Sequence, residues 1–184
     1  MSLFSKKLAP LFLVVLSTLL FSTICRADSK TELNQNAQQV LKKLLDTNEQ
    51  ARELSKKAVA VLVFPSITKA GFMVAGQYGE GVLFKEGRPS AYFNNAGGSF
   101  GFQAGAQQYG YAMFFMKESA LEALYSTQGF EVGTGPSVVV LDQGAGTSLT
   151  SMNYQKDIYA FIFNQQGLMA GIGIQGNKIT QISK

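Results

Sequence analysis

Histidine and tryptophan are absent from the 184-residue chain, and cysteine occurs once, at Cys25. A zinc site of cysteine and histidine, a serine–histidine–aspartate triad, a cysteine–histidine pair and a structural disulfide each need residues that the chain lacks. These classes of site are therefore excluded within this sequence. We expect a protein that is not an enzyme and that binds neither a metal ion nor a cofactor.

The first 27 residues have the pattern of a secretory signal peptide. Two lysines precede an apolar run from Leu8 to Ile24, and the small residues Cys25 and Ala27 are typical of a cleavage site after Ala27. Two alternatives remain open. One is a retained membrane anchor, for which the run is short, and the other is lipid attachment at Cys25, where Ile24 occupies a position that usually holds a small residue. We expect an exported protein, periplasmic or secreted, that is peripheral at a membrane.

Most of the net positive charge of the chain lies in the first 27 residues. Three of the 16 basic residues are among the first 27, and all 12 acidic residues follow them, so the remainder has a net charge of about +1. Nucleic-acid-binding domains usually carry a strong basic excess. Nucleic acid is therefore not an expected partner.

Residues 28–184 are interpreted as one domain in two parts. Residues 28–57 are polar with a helical period, and residues 58–184 are rich in glycine, β-branched and aromatic residues. Ser29 and Glu32 have the spacing of a capping box, which predicts the start of a helix. The apolar residues that follow fall on one stripe of that helix: Leu33, Ala37, Val40, Leu41, Leu44 and Leu45.

A second capping box, from Thr47 to Gln50, predicts a short helix that ends near Lys57. After it, the apolar run 58–64 is closed by Pro65, as expected of a buried strand. Further along, Glu86-Gly87-Arg88 predicts a hairpin connection between two strands, residues 71–85 and 89–94.

In the segment GGSFGFQAGAQ, apolar residues alternate with small or polar ones as in a strand, so that Phe100, Phe102, Ala104 and Ala106 share one face. This alternation shifts by one residue near Gln108, which predicts a bulge or turn there. Residues 117–128 predict one later helix, ended by Gly129, and residues 137–141 and 158–163 predict strands. The order of elements predicts an α+β fold. We expect a mainly antiparallel, strongly curved, glycine-rich sheet with two N-terminal amphipathic helices and one later helix packed on it.

The stretch GIGIQG, residues 171–176, matches the glycine pattern of a dinucleotide-binding turn. Ile172 and Ile174 alternate with glycine, however, which predicts a strand. We expect three strands, 157–164, 168–175 and 178–183, with a hairpin turn at Gly176-Asn177. Two other glycine-rich stretches, GQYGEG and DQGAGT, lack the lysine and hydroxyl ending of a phosphate-binding loop.

A hydrolase would need paired carboxylates, and Glu80 and Asp142 are the acidic residues in glycine-rich surroundings. No serine lies in a nucleophile-elbow sequence. An enzyme that uses Glu80, Asp142 or a serine is therefore the lowest-ranked of three hypotheses.

The basic residues near the predicted helices are the candidate lipid-binding residues: Lys42, Lys43, Lys56, Lys57 and Lys69. One interpretation places the first helix on an anionic membrane, with its stripe at the headgroup boundary and its lysines near phosphates. The other is an ordinary helix that packs on the sheet and holds its lysines in water. Both interpretations remain open from the sequence.

From ARELSKKAVAVLVFPSITKAGFMVAGQYGEGVLF, through GGSFGFQAGAQ and KESALEALYSTQGFEVG, to IYAFIFNQQGLMAGIGIQGNKITQI, the sequence resembles the SYLF domain family. The resemblance runs from about Leu33 to the end. It implies a lipid-binding module, with phosphoinositides as ligands in eukaryotic relatives and actin binding in some yeast relatives, and it brings no catalytic residues.

The leading hypothesis is non-enzymatic binding of anionic phospholipid at a membrane surface in the cell envelope. The second is an envelope module that receives a protein partner on an exposed strand or on a bare glycine face, comparable to the actin-binding relatives.

Overall fold

A computed structural model of the chain describes residues 29–125, 130–131, 138–142 and 156–184. The predicted signal peptide, the alternative of lipid attachment at Cys25 and Gly129 lie outside these residues. The later helix, predicted for 117–128, ends earlier than expected, at Leu124. The elements are helices α1 (Lys30–Thr47), α2 (Glu49–Ser55) and α3 (Glu118–Leu124), and strands β1 (Ala60–Lys85), β2 (Arg88–Phe115), β3 (Phe130–Glu131), β4 (Val138–Asp142) and β5 (Ile158–Ile182).

Helix α1 begins where its capping box predicts. The backbone N–H of Glu32 donates to Ser29 Oγ at 3.2 Å, so Ser29 is the N-cap residue. The predicted stripe faces the protein: Leu33, Ala37 and Leu44 are buried, and Val40, Leu41 and Leu45 are half-buried. Local periodicity therefore determined both the start and the buried face of α1.

The cap of α2 is one residue later than predicted. The backbone N–H of Ala51 donates to Asn48 Oδ1 at 2.9 Å, whereas the Thr47 hydroxyl donates back to the carbonyl of Lys43 at 2.8 Å. Asn48 has extended backbone dihedrals, as an N-cap residue requires, while Thr47 is still in α1. The prediction of Thr47 as the cap is therefore wrong, although the helix it announced is present.

We expect Asn48→Ala to lower the free energy of unfolding by about 1 kcal/mol, because the orphan N–H of Ala51 loses its acceptor. The matched control is Thr47→Ala, which leaves that cap intact and should change stability by less than about 0.5 kcal/mol. Urea denaturation followed by circular dichroism measures both. A larger loss of stability for Thr47→Ala than for Asn48→Ala would show that Asn48 is not the residue that caps α2.

Strands β1 and β2 form one long antiparallel hairpin. Their pairing runs from Ala60 opposite Phe115 to Lys85 opposite Arg88, and the connection is the two-residue turn at Glu86 and Gly87, with φ of 52° and 73°. Two consecutive positive φ angles are those of a type I′ turn, which matches the twist of paired strands. The predicted hairpin connection is confirmed.

The part of the chain that the structure describes forms a sheet of five strands in the order β1-β2-β5-β3, and β4 also pairs with β5. Among these strands only the β4–β5 pair is parallel, so the sheet is mainly antiparallel, as predicted. The sequence predicted that a strand ends at Pro65, but β1 continues past this residue. Pro65 lies in an irregularity of β1, where the register against β2 shifts between Phe64 and Ile67, and this is a position where a missing N–H is tolerated.

Strand β5 is continuous, which corrects the prediction of three strands. Gly171 to Gly176, the GIGIQG stretch, pairs residue by residue with Gly98 to Gln103 of β2, and the predicted turn at Gly176-Asn177 does not exist. The motif is part of an antiparallel strand and opens no helix, so it lacks the context of a dinucleotide site. The predicted phase change near Gln108 is confirmed as a register shift between Gln108 and Gly110.

The long strands fold back on themselves. In β1, a Cβ atom at Gly79 would lie 2.6 Å from the carbonyl oxygen of Ser66, and one at Gly81 would lie 2.6 Å from the ring of Phe64. The two halves of β1 therefore pack across each other. Between them the register shifts at Met73, whose φ is 59°. We call the part of the sheet around Met73 the bend.

Two apolar clusters hold this arrangement together. The first lies within the folded sheet and is closed by α3, and it contains residues from both halves of β1 and β2: Leu62, Phe64, Leu83, Phe93, Met113, Phe115, Leu121 and Leu124, among others. The second joins α1 and α2 to the sheet through Leu33, Leu44, Leu54, Val63, Phe114 and Phe161. The predicted α+β fold, with helices packed on a curved sheet, is confirmed.

Candidate functional site

Helix α1 packs on the sheet, which decides between the two interpretations of its apolar stripe. Leu33 and Leu44 are 1% and 2% exposed, and both belong to the second apolar cluster. In this structure the stripe is therefore not available to a membrane. The charged face of the helix points outward, and Lys42 and Lys43 lie on it in solvent.

The five candidate lysines have different surroundings. Lys42, Lys43, Lys56 and Lys57 are exposed, and Lys69 is half-buried. Lys56 Nζ donates to Glu53 Oε1 at 2.6 Å. This contact and the charge of Lys56 hold the pKa of the Glu53 carboxyl below its usual range. The charge of Lys56 is thus already balanced locally.

Lys42 and Lys43 have no carboxylate partner within the residues that the structure describes. The ammonium of Lys43 instead donates to the amide oxygen of Asn164 at 3.4 Å. These two residues are 121 positions apart in the chain. The contact joins the C-terminal half of α1 to β5.

A cleft of about 240 Å³ opens beside this contact, lined by Val40, Lys43, Leu44, Thr47, Phe163 and Asn164. Asn164 has a φ of 52° and lies where β5 departs from regular pairing with β2. The cleft thus has an apolar wall and a rim that carries one ammonium and one amide. Such a rim can donate hydrogen bonds to an anion while the wall contacts an apolar chain.

A second, more open cleft of about 450 Å³ lies further along the same strand, lined by Thr68, Ala106, Gln107, Gln108, Gln166 and Gly167. Gly167 has a φ of 87°, and a Cβ there would lie 2.4 Å from the carbonyl oxygen of Ala106, so a side chain does not fit. The lining is rich in amides and has no charge. Lys69 is paired in register with Gln107, so it lies beside this cleft.

A buried polar chain inside the folded sheet was not foreseen from the sequence. Tyr109 Oη donates to Gln77 Oε1 at 3.3 Å, and Gln77 Nε2 donates to Asn95 Oδ1 at 3.3 Å. Burial raises the pKa of Tyr109 and of Tyr111, and the neighbouring Tyr109 raises that of Tyr111 further. Both phenols therefore stay neutral at physiological pH, and this chain connects the two halves of the sheet.

The carboxylates considered for a hydrolase are not brought together by any described contact. Glu80 forms an ion pair with Lys184, 2.5 Å between Oε2 and Nζ, and its other oxygen accepts from the hydroxyl of Tyr78 at 3.1 Å. The side chain of Asp142 lies outside the described residues, and its backbone pairs with Ile162. Glu80 is thus part of a largely buried ion pair.

Within residues 29–125, 130–131, 138–142 and 156–184, no three side chains of the metal-ligating types form a group that could hold an ion. Among the helices in these ranges, none has the length and apolar character needed to cross a membrane. The described residues also form the two clefts and carry exposed cations on a folded-over sheet.

Residues 96–184 match the model of the family Ysc84, described as Las17-binding protein actin regulator. The matched region begins in β2 and includes all of β5, so it contains two of the three strands that line the second cleft. The match covers just under half of the chain and, over these residues, confirms the resemblance to the SYLF domain family. No curated protein matches the chain.

Proposed function

We propose that this protein binds anionic phospholipid at a membrane surface of the cell envelope. The observation that supports this most is the exposure of Lys42 and Lys43, which have no carboxylate partner among the described residues, and the position of Lys43 at the cleft beside Asn164. A lysine near an anionic membrane surface contributes about 1 kcal/mol to binding. The family match is consistent with a lipid-binding domain.

The geometry suggests how a lipid headgroup would be held. Among the described residues, the Lys43 ammonium has one long hydrogen bond, to Asn164 at 3.4 Å, so its other donors can reach a phosphate. The Asn164 amide group is exposed on the same rim. Phe163 and Val40 line the wall behind them. In this arrangement α1 contributes cations to the membrane contact while it remains docked on the sheet.

The other candidate lysines have smaller roles in the proposal. Lys56 is balanced by Glu53, and exposed Lys57 adds to the general positive potential. Lys69 lies beside the amide-lined cleft. The expected location, periplasmic or secreted and peripheral at a membrane, follows from the signal peptide predicted for residues 1–27.

We expect the double variant Lys42→Gln/Lys43→Gln to bind vesicles of phosphatidylcholine with phosphatidylglycerol roughly tenfold to thirtyfold more weakly than the wild type. Vesicle co-sedimentation measures this effect. The wild type should bind these vesicles more tightly than vesicles of phosphatidylcholine alone, and more weakly at high salt.

The matched control is Lys85→Gln/Lys117→Gln, which removes the same charge from two lysines that face Glu118 and Asp157 at 3.6 and 2.7 Å. It should retain most of the binding. Equal losses of vesicle affinity in the two double variants would show that binding depends on net charge and not on the position of Lys42 and Lys43. No binding of the wild type to either kind of vesicle would refute the proposed function.

A second candidate is a protein-interaction module. In the described part of the sheet, β1 is a terminal strand that pairs only with β2, so its other edge could receive a partner strand. The family description as an actin regulator fits this alternative. Co-sedimentation with filamentous actin tests it, and the variant Lys42→Gln/Lys43→Gln should then bind actin like the wild type.

A further inference from the structure

We propose that the bend of the sheet is an apolar tip that inserts into the bilayer. The tip consists of Phe72, Met73, Val74, Phe100 and Leu168, whose side chains are 74, 47, 62, 67 and 88% exposed. This inference rests on the proposed lipid binding and adds the element that enters the membrane. It differs from the first interpretation of the sequence, in which the stripe of α1 was that element.

These apolar side chains are neighbours in the sheet. Phe72 pairs with Ala104 and Val74 with Phe100, and Leu168 pairs with Ala106 on the adjacent strand. Ala104 and Ala106 are exposed too. Single exposed apolar residues are ordinary, but a contiguous apolar patch with a polar border marks a surface that contacts a partner or a membrane.

The bend carries no charge. The stretches 70–79, 89–116 and 158–177, which supply all three strands of the bend, contain no aspartate, glutamate, lysine or arginine. At the bend β2 is paired on both sides, while β1 and β5 are each paired with β2 on one side. Uncharged apolar side chains can enter a medium of low dielectric constant at little cost, so we expect a shallow insertion in which the side chains of the tip reach the acyl chains and the open strand edges stay at the level of the headgroups.

The border of the tip suits the headgroup region of a membrane. Lys69, Gln107 and Gly167 form the row of paired residues next to the row of Ala70, Ala106 and Leu168. Amides and one ammonium thus come directly before the apolar tip. Asn164, the contact of Lys43, is four residues from Leu168 along β5, which is about 13 Å of extended strand at most.

This order of layers favours a bilayer over a protein as the occupant. Cations of α1 and Lys69 would lie near phosphates, the glutamines at the carbonyl level, and the tip among the acyl chains. A protein partner would need an apolar cavity that fits a protruding edge. A second copy of the chain would place two uncharged tips together and would leave the lysines without acidic partners.

Tryptophan fluorescence tests the insertion directly, because the chain contains no tryptophan. The full chain carrying Phe100→Trp is mixed with vesicles of phosphatidylcholine and phosphatidylglycerol. We expect the emission to shift to shorter wavelength and to be quenched by lipids brominated on their acyl chains. The control is Ser90→Trp, an exposed site beside the β1–β2 turn, which should show neither change.

A second variant measures the contribution to affinity. Phe72→Ser/Phe100→Ser should fold normally, because both side chains are largely exposed, and should bind the same vesicles roughly tenfold more weakly or worse. Circular dichroism and thermal unfolding check the fold. Unchanged affinity of a folded double variant would overturn the insertion.

The outcomes separate this inference from the function on which it rests. If the wild type binds anionic vesicles while the tryptophan at position 100 stays in water, the lysine contact stands and the insertion is wrong. If the wild type binds no vesicles, the proposed function fails and the insertion fails with it. A wavelength shift that grows with protein concentration without lipid would assign the tip to a second copy of the chain.

Discussion

Gly79→Ala is expected to lower the free energy of unfolding by about 1–3 kcal/mol or more, because the added methyl group overpacks the place where β1 crosses itself. The new Cβ would lie 2.6 Å from the carbonyl oxygen of Ser66 and 3.0 Å from the Cα atom of Ile67. Both are backbone atoms, so neither can rotate away. One of the two halves of the sheet has to move.

The matched control is Gly76→Ala, three residues earlier in the same strand. No atom lies within 4 Å of a Cβ at Gly76, so its substitution should change stability by less than about 0.5 kcal/mol. It can even stabilise slightly by restricting the unfolded chain. Urea denaturation of the two variants gives the comparison, and equal losses would show that β1 does not fold back at Gly79.

Strand β1 contains both the crossing at Gly79 and the bend at Met73, where Phe72 and Val74 are exposed. A glycine that looks like a turn signal in the sequence is in fact a place of close approach between strand segments.

The sequence predicted the elements that local rules determine. The start of α1 follows from Ser29, its buried face follows from the spacing of its leucines, and the β1–β2 turn follows from Glu86-Gly87. These features depend on residues within a few positions of each other. The same rules failed for β5, since Gly176 and Asn177 have turn preferences that pairing with an equally long β2 overrides.

The surroundings of the candidate site could not be predicted, because they depend on contacts between distant residues. Composition selected Lys43, but nothing near it in the chain indicates Asn164, which becomes its neighbour only through folding. The alternation at Phe100, Ala104 and Ala106 was visible in the sequence. The alternation alone does not show which of the two strand faces is exposed. At the bend, the apolar face is the exposed one.

Leu44→Ala is expected to lower the free energy of unfolding by about 2–5 kcal/mol, the range for a leucine removed from a close-packed core. Leu44 is 2% exposed and packs in the cluster that joins α1 to the sheet. The control is Leu41→Ala, the same substitution on a half-buried residue of the same helix, for which we expect roughly half the loss or less. Urea denaturation measures both.

The same variant shows whether α1 stays docked when the protein binds a membrane. If the helix had to leave the sheet and insert its stripe, a weaker hold at Leu44 would favour the released form and strengthen vesicle binding. We propose that the helix stays docked. The Leu44→Ala protein, measured under conditions where it is folded, should then bind vesicles no better than the wild type. It should bind more weakly if the wall of the cleft beside Lys43, which Leu44 lines, contributes to lipid binding. Tighter vesicle binding by Leu44→Ala than by the wild type, with Leu41→Ala intermediate, would indicate that the apolar stripe of α1, and not the bend, contacts the membrane.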